Sequence, residues 1–186
     1  DAAIDFSVAD AVLTNVEACM RAGVPLVEGT TGWNAEADEA RRLVEGAGGA
    51  LVFGANFSLG VNLFYRVVAR AAELFGATGG YEPFIEEAHH SRKRDAPSGT
   101  ALKLREIVGA HTTGDISVAS TRAGHIAGTH RVGFDSLADQ VLLVHTARSR
   151  EGFAAGALLA ARWVVGKRGM YEFTNVVDDI LKERTT

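Results

Sequence analysis

The residues best suited to chemistry lie in one stretch, Glu87-Ala88-His89-His90-Ser91-Arg92-Lys93-Arg94-Asp95-Ala96-Pro97-Ser98-Gly99-Thr100-Ala101. Imidazole titrates nearest to neutral pH, so either of the adjacent His89 and His90 can hold and deliver a proton. At the end of a strand two neighbouring side chains point to opposite sides. Lys93 supplies a point charge for an anion. Ser98 and Gly99 then open a helix, and the amides of Gly99 and Thr100 are donors at the positive end of its dipole. The combination suits a small dianion, such as a dicarboxylate, held beside a proton donor. Taken alone, the basic run has a plainer and stronger reading as a solvated loop before a capped helix, because charge runs are usually surface.

The elements that must position this stretch have two textures. Residues 1 to 57 alternate strand and helix. Ala3, Ile4 and Phe6 form a short apolar run. Ser7 with Asp10 reads as a capped helix start, and Val8, Val12, Val16 and Cys19 follow at helical spacing until Gly23. A strand over Val24 to Glu28, a turn at Gly29-Thr30-Thr31-Gly32, a helix over Ala35 to Glu45 and a strand over Ala50 to Gly54 complete the pattern. Short connections between strand and helix imply right-handed crossovers and a parallel sheet. Residues 58 to 150 carry a helix ending at Gly76, a strand over Tyr81 to Ala88 and a helix from about Gly99 to Ala110. Three further strands, Ile116 to Thr121, Thr129 to Phe134 and Val141 to Thr146, are expected with hairpin-type links. That is the α+β pattern of a separate domain with a mostly antiparallel sheet. Residues 151 to 186 return to helix and are expected to pack with residues 1 to 57.

Composition narrows the classes. The chain has 186 residues, 47% hydrophobic and 23% charged, which is ordinary for a globular protein. No apolar run is long enough for a membrane span, and Phe153 to Val165 is interrupted by Arg162. Nothing resembles a signal peptide. A net charge of −4 argues against nucleic acid. The single cysteine, Cys19, fits a reducing compartment and reads as a small buried hydrophobe. His125, His130 and His145 read as structural residues on strand-like segments, without metal-ligand spacing, so no metal is expected.

The segment as a whole resembles the signature of the 4-hydroxy-tetrahydrodipicolinate reductase (dihydrodipicolinate reductase) family, E-x-H-H-x-x-K-x-D-A-P-S-G-T-A, with every fixed position met. The resemblance covers nearly the whole chain. Asp5-Phe6-Ser7, Gly29-Thr30-Thr31-Gly32, Ala55-Asn56-Phe57-Ser58-Leu59-Gly60, Arg122-Ala123-Gly124 with Gly128 and His130, and Arg148-Ser149-Arg150-Glu151-Gly152-Phe153-Ala154 each look like family segments. It implies a fold class of α/β plus α+β: a partial Rossmann-like dinucleotide-binding domain over 1–57 and 151–186, and a substrate-binding and oligomerisation domain over 58–150. It implies NADH- or NADPH-dependent reduction of 4-hydroxy-tetrahydrodipicolinate in lysine and diaminopimelate synthesis, by a cytoplasmic homotetramer acting on a small dicarboxylate. His89 would be the general acid, Lys93 would hold substrate charge and assist protonation, and His90, Gly99 and Thr100 would contact carboxylates. Gly29, Thr30, Thr31, Gly54, Ala55, Asn56 and Phe57 would line the nicotinamide side of the cofactor, with Arg150 and Phe153 as further cofactor contacts.

Read without that resemblance, Gly29 to Gly32 is a plain turn, Asn56 a helix cap and Arg150 a surface charge. The chain departs from the family in showing no G-x-G-x-x-G or G-x-x-G-x-x-G phosphate loop. It is therefore expected to be a fragment that begins after that loop and is inactive alone. Two other classes compete: a different nicotinamide dehydrogenase of similar plan, and a binding module that kept the dicarboxylate loop without the cofactor half.

Overall fold

The computed structural model describes residues 1–183, so the last three positions of the 151–186 segment lie outside it. The chain divides into two compact units, Asp1–Leu59 with Glu151–Thr186, and Gly60–Arg150.

The first unit is built on four parallel strands, β1 (Ala3–Asp5), β2 (Leu26–Glu28), β3 (Ala50–Phe53) and β8 (Gly169–Glu172), in the order β1-β2-β3-β8. Helices α1 (Val12–Arg21) and α2 (Ala37–Gly46) make the crossovers between the first three strands. Val12, Val16 and Met20 repeat every fourth residue, so α1 buries one stripe. That stripe meets Ala40 and Val44 of α2 and Leu26 and Leu51 of the sheet. Strand alternation turns the fully buried Val27 and Val52 to the opposite face. Helix α5 (Glu151–Val164) packs against β1, β2 and β3, and α6 (Phe173–Glu183) follows β8 directly.

Two local expectations fail here. Ser7 does not cap a helix: its amide donates to Asp5 Oδ1 at 2.8 Å, and the following 3-10 turn, Ala9–Ala11, has no side-chain cap. The turn opens at Ala9 with Val8 in the cap position, so Ser7 stands one residue too early, in an Asx turn with Asp5. Strand β8 interrupts what reads as continuous helix after residue 151. Gly166 and Gly169, with φ of +79° and +108°, break the helix and let the chain return alongside β3.

Gly156 on α5 is needed for close approach. A Cβ there would lie 1.6 Å from the Phe57 carbonyl oxygen and 3.2 Å from Phe173 Cζ. The obstacle is backbone, which cannot rotate away. Gly156→Ala is therefore expected to destabilise the protein by about 3 kcal/mol, the upper end of ordinary overpacking. The urea midpoint measures this, and an unchanged midpoint would show that α5 slides freely over Phe57.

The second unit holds α3 (Leu59–Thr78), β4 (Glu82–His89), α4 (Gly99–Gly109), β5 (Ser117–Arg122), β6 (Thr129–Asp135) and β7 (Gln140–Thr146). Its sheet runs β5-β4-β6-β7, antiparallel between β4, β6 and β7. The hairpin-type link expected between β5 and β6 is absent. Instead β5 pairs parallel to β4 on its far side, because a helix, α4, joins them and a helical crossover returns the chain in the same direction. Phe64, Val68 and Ala72 of α3, Ala101, Leu104 and Val108 of α4, and Ile85, Val132 and Phe134 of the sheet form one core.

Candidate active site

Strand alternation carries that core directly into a polar cluster. Along β4, Ile85, Glu87 and His89 are buried and share a face; along β6, Phe134, Val132 and His130 do the same. Register then places Ser120, Glu87, His130 and His145 side by side across four strands, and Arg122 beside His89. The apolar end of this face holds the helices, and the polar end meets the start of α4.

Glu87 is the hub. Its carboxylate accepts from Arg122 Nη2 at 2.6 Å and Nη1 at 3.0 Å, from the Ser98 amide at 3.3 Å, and from His89 Nδ1. Burial would raise this carboxyl, but Arg122, Ser120 and His89 outweigh it and hold it down at about 2. Arg122 also donates to the Asp95 carbonyl at 2.6 Å, tying the loop to the sheet. His89 is pushed down by burial and pulled part of the way back by Glu87, while Lys93 and Arg122 add to the downward push. Its ring stands edge-on to His130 with centroids 5.1 Å apart. His130 is pushed down to about 4 by burial and then by His89, so it is neutral at physiological pH. Its Nε2 lies 3.2 Å from Ser98 Oγ, which also accepts from the Ala101 amide at 3.3 Å and so caps α4.

The loop residues named from sequence are brought to this cluster. His90 is half-buried, and its Nδ1 is enclosed without a protein partner. Its carbonyl accepts from the Lys93 amide at 3.1 Å. Lys93 Nζ pairs with Asp95 at 2.8 Å. Gly99 is the first residue of α4 and Thr100 the second. Burial raises the Tyr65 hydroxyl, and a hydrogen bond with Thr100 offsets part of that. The sequence reading gives no catalytic or binding role to Glu87, Arg122 or His130, the last of which it takes as structural, and sees in Ser98 only the start of α4. Glu87, His89 and His130 also each offer one ligand atom within 4.8 Å of the others, a grouping the sequence spacing conceals.

The cofactor-side residues named from sequence belong, except Arg150, to the other unit, and cluster at the carboxyl ends of its strands. The Thr30 amide donates to Glu28 Oε1 at 2.7 Å, and the Gly54 amide to the Glu28 carbonyl at 3.3 Å. Glu28 is fully buried, and burial, aided by Asp5, pushes its carboxyl up to about 7. Its Oε2 and the Thr30 hydroxyl are enclosed without protein partners. The Phe6 ring covers Gly29, where a Cβ would come within 2.1 Å of it. Thr31 and Ala55 are exposed, and Asn56 Oδ1 accepts from the Ser58 amide at 2.9 Å. Phe57 is in the core, 4.8 Å from Phe173 between ring centroids. Phe153 is half-buried on α5. Arg150 is exposed and falls in the second unit. Among the described residues, no helix is long and apolar enough to cross a membrane.

Two family models match the chain: dihydrodipicolinate reductase, N-terminus, over residues 1–57, and dihydrodipicolinate reductase, C-terminus, over residues 60–177. The 4-hydroxy-tetrahydrodipicolinate reductase of Christiangramia forsetii is 35% identical over 194 residues, covering 98% of this chain and 81% of the relative. That of Myxococcus xanthus is 37% identical over 198 residues, covering 95% and 72%. Among solved structures, the dipicolinate-bound dihydrodipicolinate reductase from Paenisporosarcina sp. TG-14 matches with a TM-score of 0.77 at 22% identity, over 92% of this chain and 72% of that one; this is a likeness of fold.

Proposed function

The chain belongs to the dihydrodipicolinate reductase family, and from that premise we propose that it reduces 4-hydroxy-tetrahydrodipicolinate with a nicotinamide cofactor, NADH or NADPH, in lysine and diaminopimelate synthesis. The observation that carries the proposal is the buried Glu87–His89 pair at the mouth of a capped helix, with Lys93 on the adjoining loop. A relative bound to dipicolinate, a planar pyridine dicarboxylate, supports a dicarboxylate substrate for this site.

The second unit supplies the substrate side. Gly99 and Thr100, at the first turn of α4, offer a carboxylate the positive end of the helix dipole. Lys93 adds a point charge, and His90 on the same loop is the second carboxylate contact of this reading; its Nδ1 is enclosed without a protein partner. His89 delivers the proton: its Nδ1 is held by Glu87, which leaves Nε2 as the working nitrogen. The first unit supplies the cofactor side. The carboxyl ends of parallel strands are where open α/β sheets bind ligands. The enclosed Glu28 Oε2 and Thr30 Oγ1, both lacking protein partners there, fit a group that both donates and accepts, as the nicotinamide carboxamide does. When bound, the nicotinamide would supply a hydride to the ring carbon left unsaturated once the substrate's hydroxyl has departed as water. His89 would donate the proton that the neighbouring carbon then takes up. A homotetramer and a cytoplasmic setting belong to the same reading.

Calorimetry with pyridine-2,6-dicarboxylate tests the substrate side. Lys93→Ala is expected to weaken binding by roughly 10–100-fold, the worth of one charge-assisted hydrogen bond of about 1.5–3 kcal/mol. Equal affinities in the two proteins would remove Lys93 from the site, and no binding to either would remove the dicarboxylate reading.

A further inference from the structure

We infer that Glu87, backed by Arg122, is the positioning residue of this site: it holds His89 in the tautomer protonated at Nδ1, so that Nε2 is the nitrogen that gains and loses the working proton. The inference rests on the proposed role of His89 and adds to it the group that aims and charges the imidazole.

The geometry makes Glu87 a device with one free choice left. Its side chain is fully enclosed, and its two oxygens meet donors from three elements. Arg122 reaches it from β5, the Ser98 amide from the start of α4, and His89 from two residues along β4. An ionised carboxylate only accepts, so the imidazole nitrogen facing it must carry hydrogen. The two-residue spacing puts both side chains on one face of the strand, and Arg122 is the register partner of His89. Arg122 thus keeps the carboxylate anionic, so Glu87 does not compete with His89 for the proton. On the far edge of the ring, Gly128 lies beside Nε2. A Cβ there would approach Nε2 to 3.2 Å, and its φ of +148° favours glycine.

A simpler account would make the Glu87–Arg122 pair a clamp between β4 and β5. The two accounts differ in what happens to the imidazole. The charged and titratable groups facing it are Glu87 on its own strand, Lys93 on the loop, Arg122 on β5 and His130 on β6; His145 on β7 stands behind His130, and α4 contributes only neutral Ser98. Of these, Glu87 alone favours the imidazolium. In Glu87→Gln the amide oxygen turns to the guanidinium and the amide nitrogen faces Nδ1, which reverses the tautomer. Loss of the anion also lowers the pH at which His89 titrates. A general acid works while protonated, so the alkaline limb of kcat/KM moves to lower pH.

Long-range nitrogen–proton NMR of the His89 ring tests this on the chain itself. The wild type is expected to show the Nδ1–H form when neutral, and an Nε2–H form would overturn the inference without any variant. Glu87→Gln is expected to show the Nε2–H form, a lower titration midpoint and a loss of turnover of roughly 10–100-fold, as when the partner orienting a histidine is removed. Pyridine-2,6-dicarboxylate affinity should change by less than about threefold. Because an unpaired Arg122 threatens folding, Glu87→Met/Arg122→Met removes both charges together, an exchange that buried ion pairs often tolerate. It is expected to give a mixture of tautomers. A folded variant of either kind with unchanged tautomer and titration would reduce Glu87 to a clamp. Undiminished turnover in His89→Gln would instead sink the reading of His89 as donor, whatever Glu87 does to the ring.

Discussion

In a form of the protein that also carries a phosphate-binding loop, replacing His89 by Gln is expected to lower reductase turnover by roughly 10²–10⁴-fold, the usual worth of a positioned general acid, while dicarboxylate affinity changes little. The proton moves only in the transition state, so its loss falls on kcat rather than on ground-state binding. Gln keeps the approximate length and one hydrogen bond to Glu87, which isolates the loss of the proton. The profile against pH carries the second half of the expectation. Burial pushes His89 down and Glu87 pulls it part of the way back, so activity that needs the imidazolium falls as pH rises through a value below that of a free histidine. That limb should be present in the wild type and absent from the residual activity of His89→Gln. Steady-state kinetics with either nicotinamide cofactor reads both. A limb that survives the substitution would hand the proton to another group, Lys93 first, since it lies on the same loop.

How much of this was legible beforehand depended on the distance over which the information acts. The capped start of α4 is local, and it is as the residues suggest: Ser98 caps, and Gly99 opens the helix. Helix α1 is readable because Val12 and Val16 repeat at its period and Gly23 ends it. His130 reads as structural because the sequence shows only its own strand. Its alternation with Val132 and Phe134 signals a buried face. That this face meets Glu87 follows from the β4–β6 register, which the whole sheet decides. The same holds for Arg122: nothing local says that β5 lies parallel to β4 and not in a hairpin with β6. Strand β8 escapes the sequence for a different reason. Four residues between two helices carry too little periodicity to outweigh their flanks, and its place beside β3 comes from the sheet. At Ser7 the local rule misses by one residue, because the turn opens after Val8.

Arg122→Ala is expected to cost about 3–5 kcal/mol of stability at neutral pH, the range found when one partner of a buried ion pair is removed. Glu87 has no exposed side-chain surface, and Arg122 donates two hydrogen bonds to it. The same substitution releases the Asp95 carbonyl, so the loop bearing Lys93 loosens with it. The pH dependence has a definite sign. Glu87 titrates at about 2 in the folded protein, against an ordinary value of 4.5. A depressed carboxyl contributes stability that is complete above its unfolded value and is lost as pH falls through its folded one. The contribution is therefore whole above about pH 4.5 and disappears toward pH 2. Without Arg122 the carboxyl loses its main partner and moves upward, so the variant has less of this contribution to lose. The gap between wild type and Arg122→Ala should be widest at pH 7, begin to close below pH 4.5 and be nearly gone near pH 2. Urea midpoints at pH 7, 4.5 and 3 trace it. A gap that is small at pH 7 would mean that water or His89 compensates Glu87 alone. A gap that stays constant down to pH 3 would mean that Arg122 stabilises through its contacts to the Asp95 and Thr121 carbonyls, and that the charge on Glu87 is of no consequence to the fold.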